Sequence, residues 1–172
     1  MNNDQLPGVH AIVVMGVSGS GKTTVGRTLA DTLGWTFYEG DDFHPEANVE
    51  KMSHGTPLDD ADRAPWLDAL CELIAGIIAR DEHGVIACSA LKQSYRDALV
   101  PRGAPPKAVR FVFLDVPVEE LRRRVAHRQH FFPPALLDSQ LATLELPHDA
   151  VRVNGAQPVD AIAREALETL AS

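Results

Sequence analysis

His10-Ala11-Ile12-Val13-Val14-Met15-Gly16-Val17-Ser18-Gly19-Ser20-Gly21-Lys22-Thr23 decides the fold. The apolar run that ends at Met15 reads as a buried strand. Beyond Thr23, Val25, Leu29 and Leu33 recur at helical spacing, and Gly34 supplies a stop. Between strand and helix, Gly16 to Thr23 has the glycine, lysine and hydroxyl spacing of a phosphate-binding loop. Glycines let the backbone wrap phosphate oxygens and turn N–H groups inward, and the helix N-terminus adds a dipole that favours anions. Lys22 then reaches the β- and γ-phosphates of a nucleotide, and the Thr23 hydroxyl ligates magnesium. An accidental glycine-rich turn is the alternative reading. A strand before the loop and a helix after it argue against that.

The rest of the chain repeats this alternation. Trp35 to Tyr38, Gly84 to Cys88, Val109 to Leu114 and Val151 to Val153 are further strand candidates, with helical patterns between them. That order predicts an α/β fold with a parallel sheet. One helix is expected over Glu46 to Met52. Another has Trp66, Leu70, Leu73, Ile74 and Ile77 as its buried stripe, with Asp59 to Asp62 as N-cap carboxylates and Pro65 in a first turn. Pro117 opens a helix to about Ala126, Pro134 starts another, and Val159 to Leu170 is a final amphipathic helix. Ligands of such sheets bind outside the carboxyl ends of the strands. The rule gathers the glycine-rich loop, Asp41, Ser89-Ala90-Leu91-Lys92 and Asp115 along one rim.

Bulk properties narrow the function classes. With 172 residues and 45% hydrophobic content, the chain is most simply one domain over residues 1–172 with a real core. A formal net charge of -8 argues against nucleic acid as a partner. It leaves an anionic small molecule open, because a few cations in a cleft set the local field. Cys71 and Cys88 both fall in apolar stretches and read as buried, inert thiols. Met1 to Gln5 lacks the basic, apolar pattern of a signal peptide, and no apolar run reaches membrane-spanning length. The expected location is the cytoplasm, with no membrane partner.

Phosphoryl transfer needs phosphates held in line, charge neutralised and an acceptor oxygen positioned. Asp41, just past the second strand, is placed to take or hold an acceptor proton, although Asp42 has the same claim on position alone, and either carboxylate could simply cap a turn. Arg122-Arg123-Arg124, His127, Arg128 and His130 form either a solvated basic face or a lid that brings arginine to the transferred phosphate and excludes water. Lys51, Arg63, Lys92 and Arg96 read singly as surface charges and together as an anion site. His44 is a turn residue or a hydroxyl partner. Asp115 ends a strand as a magnesium-binding aspartate would, or caps the helix after Pro117.

Further motifs occur in one order: Gly40-Asp41-Asp42-Phe43-His44-Pro45, Asn48-Val49-Glu50-Lys51-Met52, Gly55-Thr56-Pro57-Leu58, Asp62-Arg63-Ala64-Pro65-Trp66-Leu67 and Cys88-Ser89-Ala90-Leu91-Lys92. Tyr95-Arg96, His130-Phe131 and Leu137-Asp138-Ser139-Gln140 follow. With the glycine-rich loop, they resemble the gluconate kinase (gluconokinase) family of small P-loop kinases from about Ile12 to Pro147. The resemblance implies a three-layer, nucleoside-monophosphate-kinase-like fold with a five-stranded parallel sheet and a lid over about 127–134. It also implies ATP-dependent phosphorylation of D-gluconate at its 6-hydroxyl with Mg2+, usually by a homodimer. On this reading Lys22, Asp41 and Arg128 are catalytic. Gly16 to Thr24 (Gly16, Val17, Ser18, Gly19, Ser20, Gly21, Lys22, Thr23, Thr24), Arg124 and Arg128 hold the nucleotide. Asp41, His44, Lys51, Arg63, Lys92, Arg96 and His130 bind the acceptor, and Thr23 binds the metal. The family's lid reads Arg-Lys-Gly-His-Phe, whereas Arg128-Gln129-His130-Phe131 is one residue shorter and lacks the glycine. A shikimate or nucleotide kinase is the rival within the same chemistry. A nucleotide-gated switch is the rival outside it, without the Asn-Lys-x-Asp base-recognition motif of GTPases.

Overall fold

The structure is a computed structural model of the chain, and residues 5–127 and 133–172 are described. β1 (Ala11–Met15) leads into α1 (Lys22–Leu33), β2 (Thr36–Glu39) and a 3-10 turn over Gly40–Phe43. α2 (Glu46–Ser53), α3 (Asp60–Ala79), β3 (Gly84–Ala87), α4 (Gln93–Leu99) and β4 (Val109–Asp115) follow. α5 (Val118–Ala126), α6 (Pro134–Thr143), β5 (Val151–Asn154) and α7 (Val159–Ala171) complete the chain. The five strands form one sheet in the order β2-β3-β1-β4-β5, parallel throughout.

β1 lies at the centre, and all five of its residues are buried. Its alternating side chains feed two cores, as the period of a strand demands. Ala11, Val13 and Met15 face Trp66, Leu70 and Ile74 of α3. Ile12 and Val14 face Val25 and Leu29 of α1 and Ile162 and Ala166 of α7. Helices thus cover both faces, which is why the strands read as continuous apolar runs.

Local chemistry sets the helix ends. α1 begins at Gly21 (φ 95) with no side-chain cap and stops at Gly34 (φ 71), whose N–H reaches the carbonyls of Ala30 and Asp31. α3 starts with a reciprocal capping box between Asp59 and Asp62. That box places Pro65 inside the helix, past the first turn expected of it, where its missing N–H removes one intrahelical bond.

Gly40 is where β2 meets β3. A Cβ built there lies 2.2 Å from the carbonyl oxygen of Ala87, a backbone atom that cannot swing aside. Gly40→Ala is therefore expected to destabilise the protein by about 1–3 kcal/mol or more, measured as a fall in the urea midpoint. An unchanged midpoint would mean that β2 and β3 are not in this register.

Candidate active site at the strand ends

The carboxyl ends of β1, β2 and β3 open onto a cavity of about 530 Å³. The glycine-rich loop forms its floor. Gly16 (φ 152) donates its N–H to the Ser89 carbonyl at 3.3 Å, and a Cβ at Gly16 would sit 2.7 Å from Ser20 Oγ. Gly19 (φ 85) and Gly21 (φ 95) hold backbone conformations that other residues rarely adopt. Lys22 Nζ donates to the Val17 carbonyl at 3.0 Å, across its own loop. The Ser18 N–H donates to Gln140 Oε1 of α6 at 2.7 Å. Arg124 reaches over from α5, donating Nη1 to the Gly19 carbonyl and Nη2 to the Gly155 carbonyl, each at 3.0 Å, with Nε on Glu120. Ser18, Lys22, Thr23, Thr24 and Arg124 all line the cavity.

The next wall is acidic. Thr23 Oγ1 donates to Glu39 Oε2 at 2.5 Å, and Glu39 Oε1 accepts from the Asp41 N–H at 3.5 Å. Asp41 lines the cavity with its carboxylate 76% exposed. Asp42 is exposed and does not line it, so the geometry separates two residues that position alone left equal. Glu39 escaped the sequence reading. Its signal was its place at the carboxyl end of the second strand, where ligands of such sheets bind.

The four cations proposed as an anion site separate. Arg63 lines the cavity, held by Nη1 on the Tyr95 hydroxyl at 3.0 Å and stacked over that ring. Tyr95 in turn donates its hydroxyl to Asp60 Oδ1. Lys92 is paired to Asp60 at 3.1 Å, and Lys51 to Asp62 at 2.9 Å. Arg96 is buried and clamps the carbonyls of Ala90 and Glu145 at 2.7 and 2.9 Å. Lys51, Lys92 and Arg96 do not line the cavity. His44 does, stacked on Trp66 at 4.1 Å with Nε2 3.9 Å from Asp41 Oδ1.

Asp115 fills neither expected role. Its Oδ2 accepts from Nε and Nη2 of Arg152 at 2.9 and 2.7 Å, it does not line the cavity, and α5 begins after Pro117 without a side-chain cap. Cys88 is buried, which pushes its thiol up to about 12, and Cys71 is half-buried. Both are free, and only Cys88 has the burial expected of it. Arg128 and His130 lie outside the described residues. The elements that flank them are tied together: Arg122 of α5 pairs with Asp138 of α6 at 2.8 Å, and Pro133 packs against Gly55 beyond α2.

Comparison with known proteins places this geometry in a family. The family model described as shikimate kinase matches residues 18–168. The chain is 52% identical over 159 residues to a gluconokinase from Gluconobacter oxydans, spanning 90% of this chain and 87% of that protein. It superposes on the crystal structure of a gluconokinase from Sinorhizobium meliloti with a TM-score of 0.83 at 49% identity, over 94% and 91% of the two chains. A shikimate kinase from Aquifex aeolicus superposes with a TM-score of 0.60 at 18% identity, over 93% and 95% of the chains, which is likeness of fold alone.

The acidic start of α3 titrates in a definite direction. The hydrogen bond from Tyr95, then that from Lys92, holds Asp60 below its ordinary 3.8, and the one from Lys51 does the same for Asp62. Such carboxylates contribute stability above their unfolded pKa and lose it as pH falls through the folded value. The urea midpoint is expected to drop between about pH 5 and pH 2. Asp60→Asn should flatten that limb, and an unchanged limb would show that Asp60 is not held in its folded contacts in solution.

Proposed function

The chain belongs to the gluconokinase family of shikimate-kinase-like P-loop kinases, and from that premise we propose that it moves the γ-phosphoryl group of ATP to the 6-hydroxyl of D-gluconate, giving 6-phospho-D-gluconate and ADP. One observation carries the reading from the structure. The phosphate loop, the Asp41 carboxylate and the Arg63 guanidinium face a single cavity.

The chemistry asks each wall for a different contribution. N–H groups of the Gly16–Thr23 loop and the α1 N-terminus hold the phosphates, and Lys22 neutralises charge that grows on the γ-phosphate in the transition state. The acceptor hydroxyl attacks phosphorus as the bond to the bridging oxygen breaks, and Asp41 accepts the hydroxyl proton. Arg63 takes the gluconate carboxylate, and its planar fork suits a bidentate pair. Lys92 acts at one remove, by neutralising Asp60 so that the Tyr95 hydroxyl can orient Arg63. Arg124, and Arg128 from the segment between α5 and α6, bring positive charge to the phosphates, and closure of residues 127–134 with His130 keeps water from competing with gluconate. The donors at Thr23, a hydroxyl backed by the Glu39 carboxylate, are hard oxygens that fit Mg2+, which when bound spreads positive charge over the β- and γ-phosphates.

The same reading takes residues 1–172 as one kinase domain that works in the cytoplasm as a homodimer. Its acidic net charge of -8 disfavours nucleic-acid partners. No helix among the described residues is long and apolar enough to cross a membrane.

Arg63→Ala is expected to raise the gluconate KM about tenfold to over a hundredfold, the equivalent of roughly 1–3 kcal/mol for an unpaired charged group. It should also shrink the preference for gluconate over glucose. Lys92→Ala should have a smaller effect of the same kind. Coupled ADP release with both sugars measures this, and equal phosphorylation of glucose by the wild type would rule out an anionic acceptor site. Lys22→Ala and Asp41→Asn should lower kcat with the fold intact, whereas Asp42→Asn should remain active.

A further inference from the structure

We propose that Asn48 is a positioning residue that locks His44 in the Nε2–H tautomer, so that a neutral hydrogen-bond donor faces Asp41 and the acceptor hydroxyl. The proposal rests on Asp41 and His44 forming the acceptor side of the site.

The hydrogen bonds of Asn48 leave its amide little choice. It sits in the first turn of α2 with 3% of its surface exposed. One end of its side chain lies 2.8 Å from the backbone carbonyl of Asp62. A carbonyl only accepts, so that end is the NH2 group. The same nitrogen lies 3.2 Å from His44 Nδ1, to which it offers its second hydrogen. Nδ1 must then be the acceptor, and the neutral ring carries its proton on Nε2.

The surroundings hold the ring in that state. The His44 side chain is 4% exposed and stacks on Trp66 with 15° between the planes. Trp66 is itself tied to the Gly40 carbonyl by Nε1 at 2.8 Å. A flip of the imidazole would keep the stack but turn Cδ2–H toward Asn48 and break that bond. The charged groups around the ring come from three elements. Asp41, from the preceding turn, favours protonation, and Arg63 of α3 opposes it. Asp62 of α3 is already paired with Lys51 of α2. Burial dominates, and with Arg63 it holds His44 below its usual 6.5.

A neutral donor does what an imidazolium would not. It faces the Asp41 carboxylate across 3.9 Å from Nε2 to Oδ1, a gap wider than a direct hydrogen bond, without placing a full positive charge that would weaken Asp41 as a base. Asn48 does not line the cavity, so its effect on the reaction passes through His44.

The direct test is the ring tautomer of His44 in the full-length wild type, read from long-range 1H–15N NMR correlations and assigned with His44→Gln. The expected result is a single Nε2–H tautomer that stays neutral below pH 6.5. An Nδ1–H tautomer, or a mixture of the two, overturns the proposal. Asn48→Ala should convert the signal to a mixture and lower kcat up to about a hundredfold, the scale of a misplaced reacting group, with the KM for ATP unchanged. Loss of a donor to Nδ1 raises the His44 pKa, so the acid limb of kcat should move to higher pH. A variant with lower activity but a wild-type tautomer and acid limb would show a merely structural role for Asn48. Absence of gluconate phosphorylation by the wild type would instead remove the reading of the site, an outcome distinct from either NMR result.

Discussion

The close approach of Gly40 to the Ala87 carbonyl holds the active cavity together. No side chain fits there, so the chain leaving β2 lies flat against the end of β3. Trp66 clamps the same point from above through its bond to the Gly40 carbonyl. From this contact Asp41 and His44 are brought beside the phosphate loop, and α3 is drawn down so that Arg63 reaches the cavity. The two cores explain why the contact is rigid. α3 is anchored along β1 by Trp66, Leu70 and Ile74, which leaves its N-terminal turn little freedom.

That turn also governs which cations are available to a ligand. It carries Asp59, Asp60 and Asp62, partly as its capping box. Asp60 takes Lys92 and the Tyr95 hydroxyl, and Asp62 takes Lys51. Two of the basic residues near the strand ends are thus matched to carboxylates before any ligand arrives. Arg63 is bonded to the neutral Tyr95 oxygen, which orients its guanidinium without cancelling its charge. In an acidic protein this arrangement concentrates positive potential at Arg63 on the cavity wall.

Polar groups on the other side of the cavity follow the same logic. Thr23 is turned toward Glu39, the Ser18 N–H toward Gln140, and Arg124 toward the carbonyls of Gly19 and Gly155. Each contact links elements far apart in the chain, and together they join the phosphate loop to β2, α5, α6 and the turn after β5. The helices that flank residues 128–132 therefore also touch the loop.

The amino-acid sequence determined the features that depend on local spacing. Strand and helix patterns around Gly16–Thr23 placed the phosphate loop, because a tight turn and a helix start are written in neighbouring residues. The alternation of apolar runs led to the five-stranded α/β order for the same reason. The tertiary structure alone decided which charges meet. Asp41 and Asp42 are adjacent in sequence, yet only Asp41 lines the cavity. Lys92 and Arg63 had equal claims until Asp60 took one and Tyr95 the other. Arg96 was drawn inward to backbone carbonyls, and Asp115 to Arg152 on the neighbouring strand. Glu39 and Gln140 gained their partners from chain separations of 16 and 122 residues. Hydrogen bonds and ion pairs act over a few ångströms, and chain order does not report which side chains packing will bring within that distance.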